Sequence, residues 1–159
     1  MVDSRELRQT LGRFATGVVV VTAAYEGSEH GMTANAFTSV SLDPPLVLVC
    51  IGNRARMSRV LEPGMHFGIS ILSTTQREIS QAFAGRPQPP VSIEFTWRRG
   101  VPLIAAACAH FVCGLAEARL AGDHTLYIGA VEEFAASERA PLIFHRGSYT
   151  SLNAGAGLS

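Results

Sequence analysis

The chain contains no lysine. All 13 of its basic residues are arginine, and 13 acids balance them to a formal net charge of zero. That absence excludes Schiff-base chemistry on a side-chain amine and the Walker A lysine of a phosphate loop. Charge of either sign is scarce. Charged residues make up 16% of the chain, against about 25% in a typical globular protein. A neutral chain offers no field to gather nucleic acid or an anionic membrane, and so little charge points to surface covered by a partner subunit. Cysteine is limited to Cys50, Cys108 and Cys113, an odd number in apolar context without a C-x-x-C pair. This excludes a disulfide framework or zinc knuckle and fits a reducing compartment, so a cytoplasmic location is expected. No apolar run approaches the roughly 18 residues of a membrane-spanning helix. The first residues read as an amphipathic helix with acids in its first turn, not as a secretion signal.

Catalytic signatures are missing too. The sequence has no H-E-x-x-H, G-x-S-x-G, G-x-G-x-x-G or P-loop motif. Its histidines, His30, His66, His110, His124 and His145, are dispersed and show no metal-ligand spacing. The acid pair Glu132-Glu133 reads as a solvated strand end. Hydrolase and metal chemistry therefore lack support, although a triad can assemble from distant positions.

What is present is a single domain over 1–159, rich in strands, with "NAGAGLS" at 153–159 as a loose tail. "DSRELRQTLGRFA" has Asp3 or Ser4 as a cap and Leu7, Leu11 and Phe14 at helical spacing. "VVVVTAAY" is a β-branched run that predicts a buried strand, and "EGSEHG" a turn after it. "PLVLVCIG" and "MHFGISIL" are further strands. "NRARMSRVLEPG" predicts a short helix that stops at Pro63-Gly64. "STTQREISQAFAG" predicts another, with Thr75 and Glu78 at capping-box spacing and Ile79 and Phe83 sharing a face. "RPQPPV" is an extended loop. "EFTWR", "AACAHFVCGLAEARL", "HTLYIGAVEEF" and "APLIFHRGSYTSL" are mostly strand, the last folded at "HRGS". The spacing argues against repeated βαβ units. The predicted fold is mainly β with short helices, an antiparallel barrel or sandwich. Barrel closure would also protect the edges of so many β-branched strands.

The candidate chemistry lies in small-residue segments at strand ends. "TANAFTSVS" offers Thr33, Asn35, Thr38, Ser39 and Ser41, with Ala34 and Ala36 allowing a ligand close to the backbone. Amides and hydroxyls match the polar edge of a heteroaromatic ring, and with a guanidinium they match a phosphate. "GNRARMS" adds Asn53, Arg54 and Ser58, and "FAGR" adds Arg86. Taken on residues alone, the first segment reads equally as a loop whose hydroxyls cap helices, and Arg54 as a surface arginine.

The elements "RFATGVVVVTA", "HGMTANAFTSVSLDPPLVLVCI", "FGISIL", "QREISQAFAG", "GDHTLYIGAVEEF" and "PLIFHRGSYTSL" occur in an order that resembles the flavin reductase family, the small NAD(P)H:flavin oxidoreductases of two-component flavin-dependent monooxygenases. The resemblance implies a split β-barrel of the FMN-binding type that holds FAD or FMN between the subunits of a homodimer. It implies hydride transfer from NAD(P)H to flavin N5, with reduced flavin diffusing to a monooxygenase partner; the absence of a clear arginine cluster for a 2′-phosphate favours NADH over NADPH. Thr33, Ala34 and Asn35 would lie along the isoalloxazine, and Ser39, Val40 and Ser41 would continue that wall. Asn53, Arg54 and Ser58 would hold phosphate. Phe83, Ala84, Gly85 and Arg86 would border the outer flavin. His124 and Arg146, Gly147, Ser148 and Tyr149 would shape the nicotinamide side. Ser70 stands where the family often has Asn. The alternatives on the same barrel are a non-catalytic flavin- or haem-binding protein, or a flavin-bound ferric or corrinoid reductase.

Overall fold

Val19 to Val21 fall on a strand that is buried on both faces, and Val18 just before it is buried as well. This is why the run shows no polar alternation. In a computed structural model that describes residues 1–86 and 88–152, the strand β2 (Val19–Tyr25) sends Val19, Val21 and Ala23 into the main core. Val18 and Val20 enter a second core with Leu72, Ile104 and Leu142. The tail expected over 153–159 and Pro87 of the "RPQPPV" loop lie outside the described residues.

The remaining elements, in chain order, begin with α1 (Ser4–Leu11) and β1 (Thr16–Gly17). After β2 come β3 (Ser28–Ala34), β4 (Phe37–Leu42), β5 (Pro45–Gly52), α2 (Met57–Val60) and β6 (His66–Ile71). A 3-10 turn (Thr74–Gln76) runs into α3 (Arg77–Phe83). Strands β7 (Phe95–Arg98), β8 (Val101–Ile104), β9 (Ala109–Ala121), β10 (His124–Ala136), β11 (Ile143–His145) and β12 (Ser148–Thr150) complete the chain. Seven strands form one antiparallel sheet in the order β3-β2-β6-β9-β10-β5-β4; β1, β11 and β12 form a small second sheet, and β7 pairs with β8.

The large sheet does not close into a continuous ladder: its edges, β3 and β4, do not pair with each other. Only Asn35 and Ala36 link them, and three residues span at most about 11 Å, so the sheet must curl until its edges meet at one end. The link does not form a hairpin, because the Ala36 carbonyl accepts a hydrogen bond from the Cys50 amide at 3.0 Å and is drawn onto β5. Most of the Gly31–Val47 segment is thus strand. The β4–β5 turn holds a cis Asp43-Pro44 peptide.

Local signals hold at one helix start and shift by two residues at another. Asp3 caps α1, its carboxylate accepting from the Arg5 and Glu6 amides at 2.8 and 2.9 Å. The second capping box uses Ser73 and Gln76 instead of Thr75 and Glu78, because the 3-10 turn precedes α3. Glu132 and Glu133 are not a bare strand end. Arg99 and His66 meet Glu132 at 3.0 and 3.2 Å, and Arg98 lies 3.7 Å from Glu133, which ties the β7–β8 hairpin to β10. Ser70 is fully buried, and its hydroxyl accepts from the Ile104 amide at 2.9 Å, holding β8 against β6.

Candidate active site

Thr33, Ala34 and Asn35 end β3 where the chain turns toward β5. Here they form one wall of a cleft of about 140 Å³ lined also by Val18, Ser80, Ala84, Arg86, Phe144 and Tyr149. The side chains come from four places: the β3 terminus, α3 and the residues after it, the residue just before β2, and the small sheet. The Thr33 hydroxyl donates to the Ser80 carbonyl at 2.7 Å. Ser80 Oγ and the Tyr149 hydroxyl share a hydrogen bond of 2.8 Å. Phe144 meets the Tyr149 ring edge-on with centroids 5.5 Å apart, and the Arg77 guanidinium carbon stands 5.5 Å from the Tyr149 ring centroid. Asn35 and Phe144 also line a larger groove of about 1070 Å³, which extends under the C-terminal half of α1 over Phe37, Thr38, Leu48 and Cys50. The cleft alone is below the roughly 300 Å³ at which small-molecule sites begin; the cleft and groove together exceed it.

The predicted residues Asn53, Arg54, Ser58 and His124 line neither the cleft nor the groove. Asn53 and His124 stand at facing strand ends: Gly52 pairs with His124, and the Asn53 amide donates to the Asp123 carbonyl at 2.9 Å. The Asn53 side chain is engaged locally, donating to the Gly122 carbonyl at 3.2 Å and accepting from Thr125 at 2.8 Å. Ser58 Oγ donates to the Ala55 carbonyl at 2.7 Å. Arg54 is exposed and shares a separate shallow cavity with Arg56, Arg59, Tyr25 and His30. His124 Nδ1 donates to the Asp123 carboxylate at 2.7 Å. That bond, with the ring's charge and then Arg54, holds the Asp123 carboxyl below its ordinary value. A β-carbon on Gly52 would lie 3.8 Å from His124 Nε2, so the ring lies over bare backbone.

Ser39, Val40 and Ser41 lie on the β4 edge, where a register shift puts Val40 in a bulge. Ala84 and Arg86 reach the cleft. Phe83 instead packs on Gly31, where a β-carbon would come within 2.3 Å of its ring. Gly85 ends α3 in the left-handed region with φ +68°. Arg146 and Gly147 turn β11 into β12 with φ +52° and +80°, and the Arg146 amide is held by the Gly12 carbonyl at 2.9 Å. Ser148 opens β12, and its neighbour Tyr149 enters the cleft.

The flavin reductase like domain matches residues 11–153, which include every wall of the cleft. The chain belongs to this family. It is 51% identical over 154 residues to an NADH-dependent flavin reductase of a Rhodococcus species, covering 95% of this chain and 88% of that protein. It is 34% identical over 157 residues to the reductase subunit HsaB of a flavin-dependent monooxygenase of Mycobacterium tuberculosis, covering 95% and 83%. The structure of the Streptomyces globisporus NADH:FAD oxidoreductase SgcE6, solved in complex with NAD and FAD fragments, superposes with a TM-score of 0.87 at 35% identity, covering 99% of both chains.

Within this family member, the residues at the cleft fit a flavin. Ala34 and Ala84 leave flat apolar surface, Thr33 and Asn35 offer polar atoms at its edge, and Arg86 supplies a cation for an anionic group. Residue reading missed Val18, Ser80, Arg77 and Phe144. Ser80 carried one usable signal, a hydroxyl on the helix that also places Ile79 and Phe83 toward the second core. The cysteines supply no redox pair: Cys108 and Cys113 are buried, and burial pushes the Cys113 thiol up to about 12, with Glu132 adding to the rise.

Proposed function

We propose that the protein is an NADH-dependent flavin reductase. It binds FAD or FMN along Thr33, Ala34 and Asn35, and passes reduced flavin to a separate monooxygenase. The observation that carries this reading is the cleft itself. The segment after β3 meets Arg86 and Tyr149 there, and the cleft opens through Asn35 and Phe144 into an apolar groove.

Flavin, when bound, supplies the hydride acceptor. The chain's task is placement at near-attack distance, for which no general base is required. Thr33 and Asn35 hold the polar edge of the ring. Ser39, Val40 and Ser41 continue its wall, and Asn53, Arg54 and Ser58 hold phosphate. Phe83, Ala84, Gly85 and Arg86 border the outer portion. His124 and Arg146, Gly147, Ser148 and Tyr149 orient the nicotinamide. Single neutral hydrogen bonds, each worth about 0.5–1.5 kcal/mol, suit a flavin that must leave. The curled sheet is the split barrel of this reading. The apolar groove beneath α1, on which Leu11 and Phe14 remain exposed, is covered by a second copy of the chain in a cytoplasmic homodimer.

The test is NADH oxidation by the purified protein in air, first without flavin and then with added FMN, FAD or riboflavin. Oxidation that depends on added flavin and saturates with it is expected. No turnover with any flavin and either nicotinamide would instead favour a non-catalytic binding protein on the same scaffold.

A further inference from the structure

We propose that Ser80 is a positioning residue for the nicotinamide donor, acting through Tyr149; the proposal rests on the flavin reductase reading above. Ser80 is fully buried on α3. The surrounding core is apolar: Val18, Val20, Leu72 and Ile104, with Ile79, Phe83 and Phe144 packed against it. A hydroxyl buried there must find a partner. It finds the Tyr149 hydroxyl at 2.8 Å, across a sequence separation of 69 residues. The backbone of Ser80 makes a second connection, since its carbonyl accepts from the Thr33 hydroxyl at 2.7 Å.

The two bonds join Ser80 to two different walls of the cleft. One reaches the end of β3, the wall assigned to flavin. The other reaches β12, which belongs to the separate small sheet. Among the described residues, no β-ladder joins these two strands. One buried residue therefore sets the spacing between the flavin wall and the Tyr149 wall. Phe144 and Arg77 hold the edge and face of the tyrosine ring; the bond to Ser80 anchors its hydroxyl. Hydride transfer requires the donor ring within roughly 3–3.5 Å of its acceptor, so a wall that drifts outward loosens the donor before it loosens the flavin.

The experiment is a four-protein cycle: wild type, Ser80→Ala, Tyr149→Phe and the double variant. Each is assayed by steady-state NADH oxidation with NADH and flavin varied separately, with melting temperature as a control. Either single variant is expected to raise KM for NADH by about three- to tenfold, the size expected from one lost hydrogen bond, while KM for flavin stays within about twofold. The double variant should match the weaker single variant, because both changes cut the same bond. Single effects that multiply in the double variant would overturn the proposal, as would a flavin KM that rises with that of NADH. If Ser80→Ala does not fold, Ser80→Cys, which keeps the volume but weakens the bond, takes its place in the cycle: a raised NADH KM that is not additive with Tyr149→Phe supports the proposal and an unchanged one overturns it. A wild type with no flavin-dependent turnover overturns the functional reading and this proposal together; an active wild type with unaffected variants overturns only this proposal.

Discussion

His124 combines exposure with restraint. Its ring is half exposed at the start of β10, yet Nδ1 is tied to Asp123 at 2.7 Å and the ring lies over Gly52. A side chain held at one nitrogen presents the other in a defined direction. If Nε2 faces the nicotinamide, His124→Ala raises KM for NADH by several-fold and leaves KM for flavin nearly unchanged. Small, equal shifts in both constants would return His124 to the role of a strand-end residue bonded to its neighbour.

At the scale of elements, the contact between β3 and α3 supports the wall proposed for flavin. Gly31 lies two residues before Thr33, and the Phe83 ring occupies the space a side chain would need, with atoms 2.3 and 2.6 Å from where a β-carbon would stand. This absence of a β-carbon lets α3 close on β3 and bring the Ser80 carbonyl to Thr33. Gly31→Ala forces the ring or the helix to move. Overpacking of this kind costs about 1–3 kcal/mol. Urea denaturation should show that loss, and flavin affinity should fall with it. A variant as stable as wild type with unchanged flavin affinity would mean that Phe83 turns aside freely and that the wall does not depend on this contact.

At the scale of the whole molecule, α1 is the least integrated element. None of its residues is buried, and Leu7, Leu11 and the following Phe14 are 47%, 65% and 79% exposed. Leu11 and Phe14 line the groove of about 1070 Å³ that opens beside the cleft. An apolar groove beside the cleft is where the proposed dimer would meet. If a second copy covers it, Phe14→Glu converts a dimer to a folded monomer and weakens flavin binding by about tenfold or more, as expected for an interface anchor. Sedimentation velocity and far-UV circular dichroism test this together. A wild type that sediments as a monomer would contradict the dimer.

Much of this protein is legible in local order. β-branched runs mark β2, β5 and β6, because each strand's burial is written in its own residues. Asp3 marks the start of α1, because a cap bonds to amides two and three positions ahead. The order of motifs marks the family. Short elements escape such reading: β8 spans only Val101–Ile104, and its position depends on Ser70 and on the Thr22 hydroxyl bonded to the Pro102 carbonyl. The shift of the capping box to Ser73 and Gln76 also needs the fold, since the Gln76 amide is held by the Ala105 carbonyl. What only the tertiary structure decided is which distant residues meet: Ser80 with Tyr149, Asn53 with Thr125, Phe83 against Gly31. A lone serine on a helix has no local partner to announce its role. That role arises only when strands far apart in sequence, held in register by long-range pairing, bring a second hydroxyl within hydrogen-bonding distance.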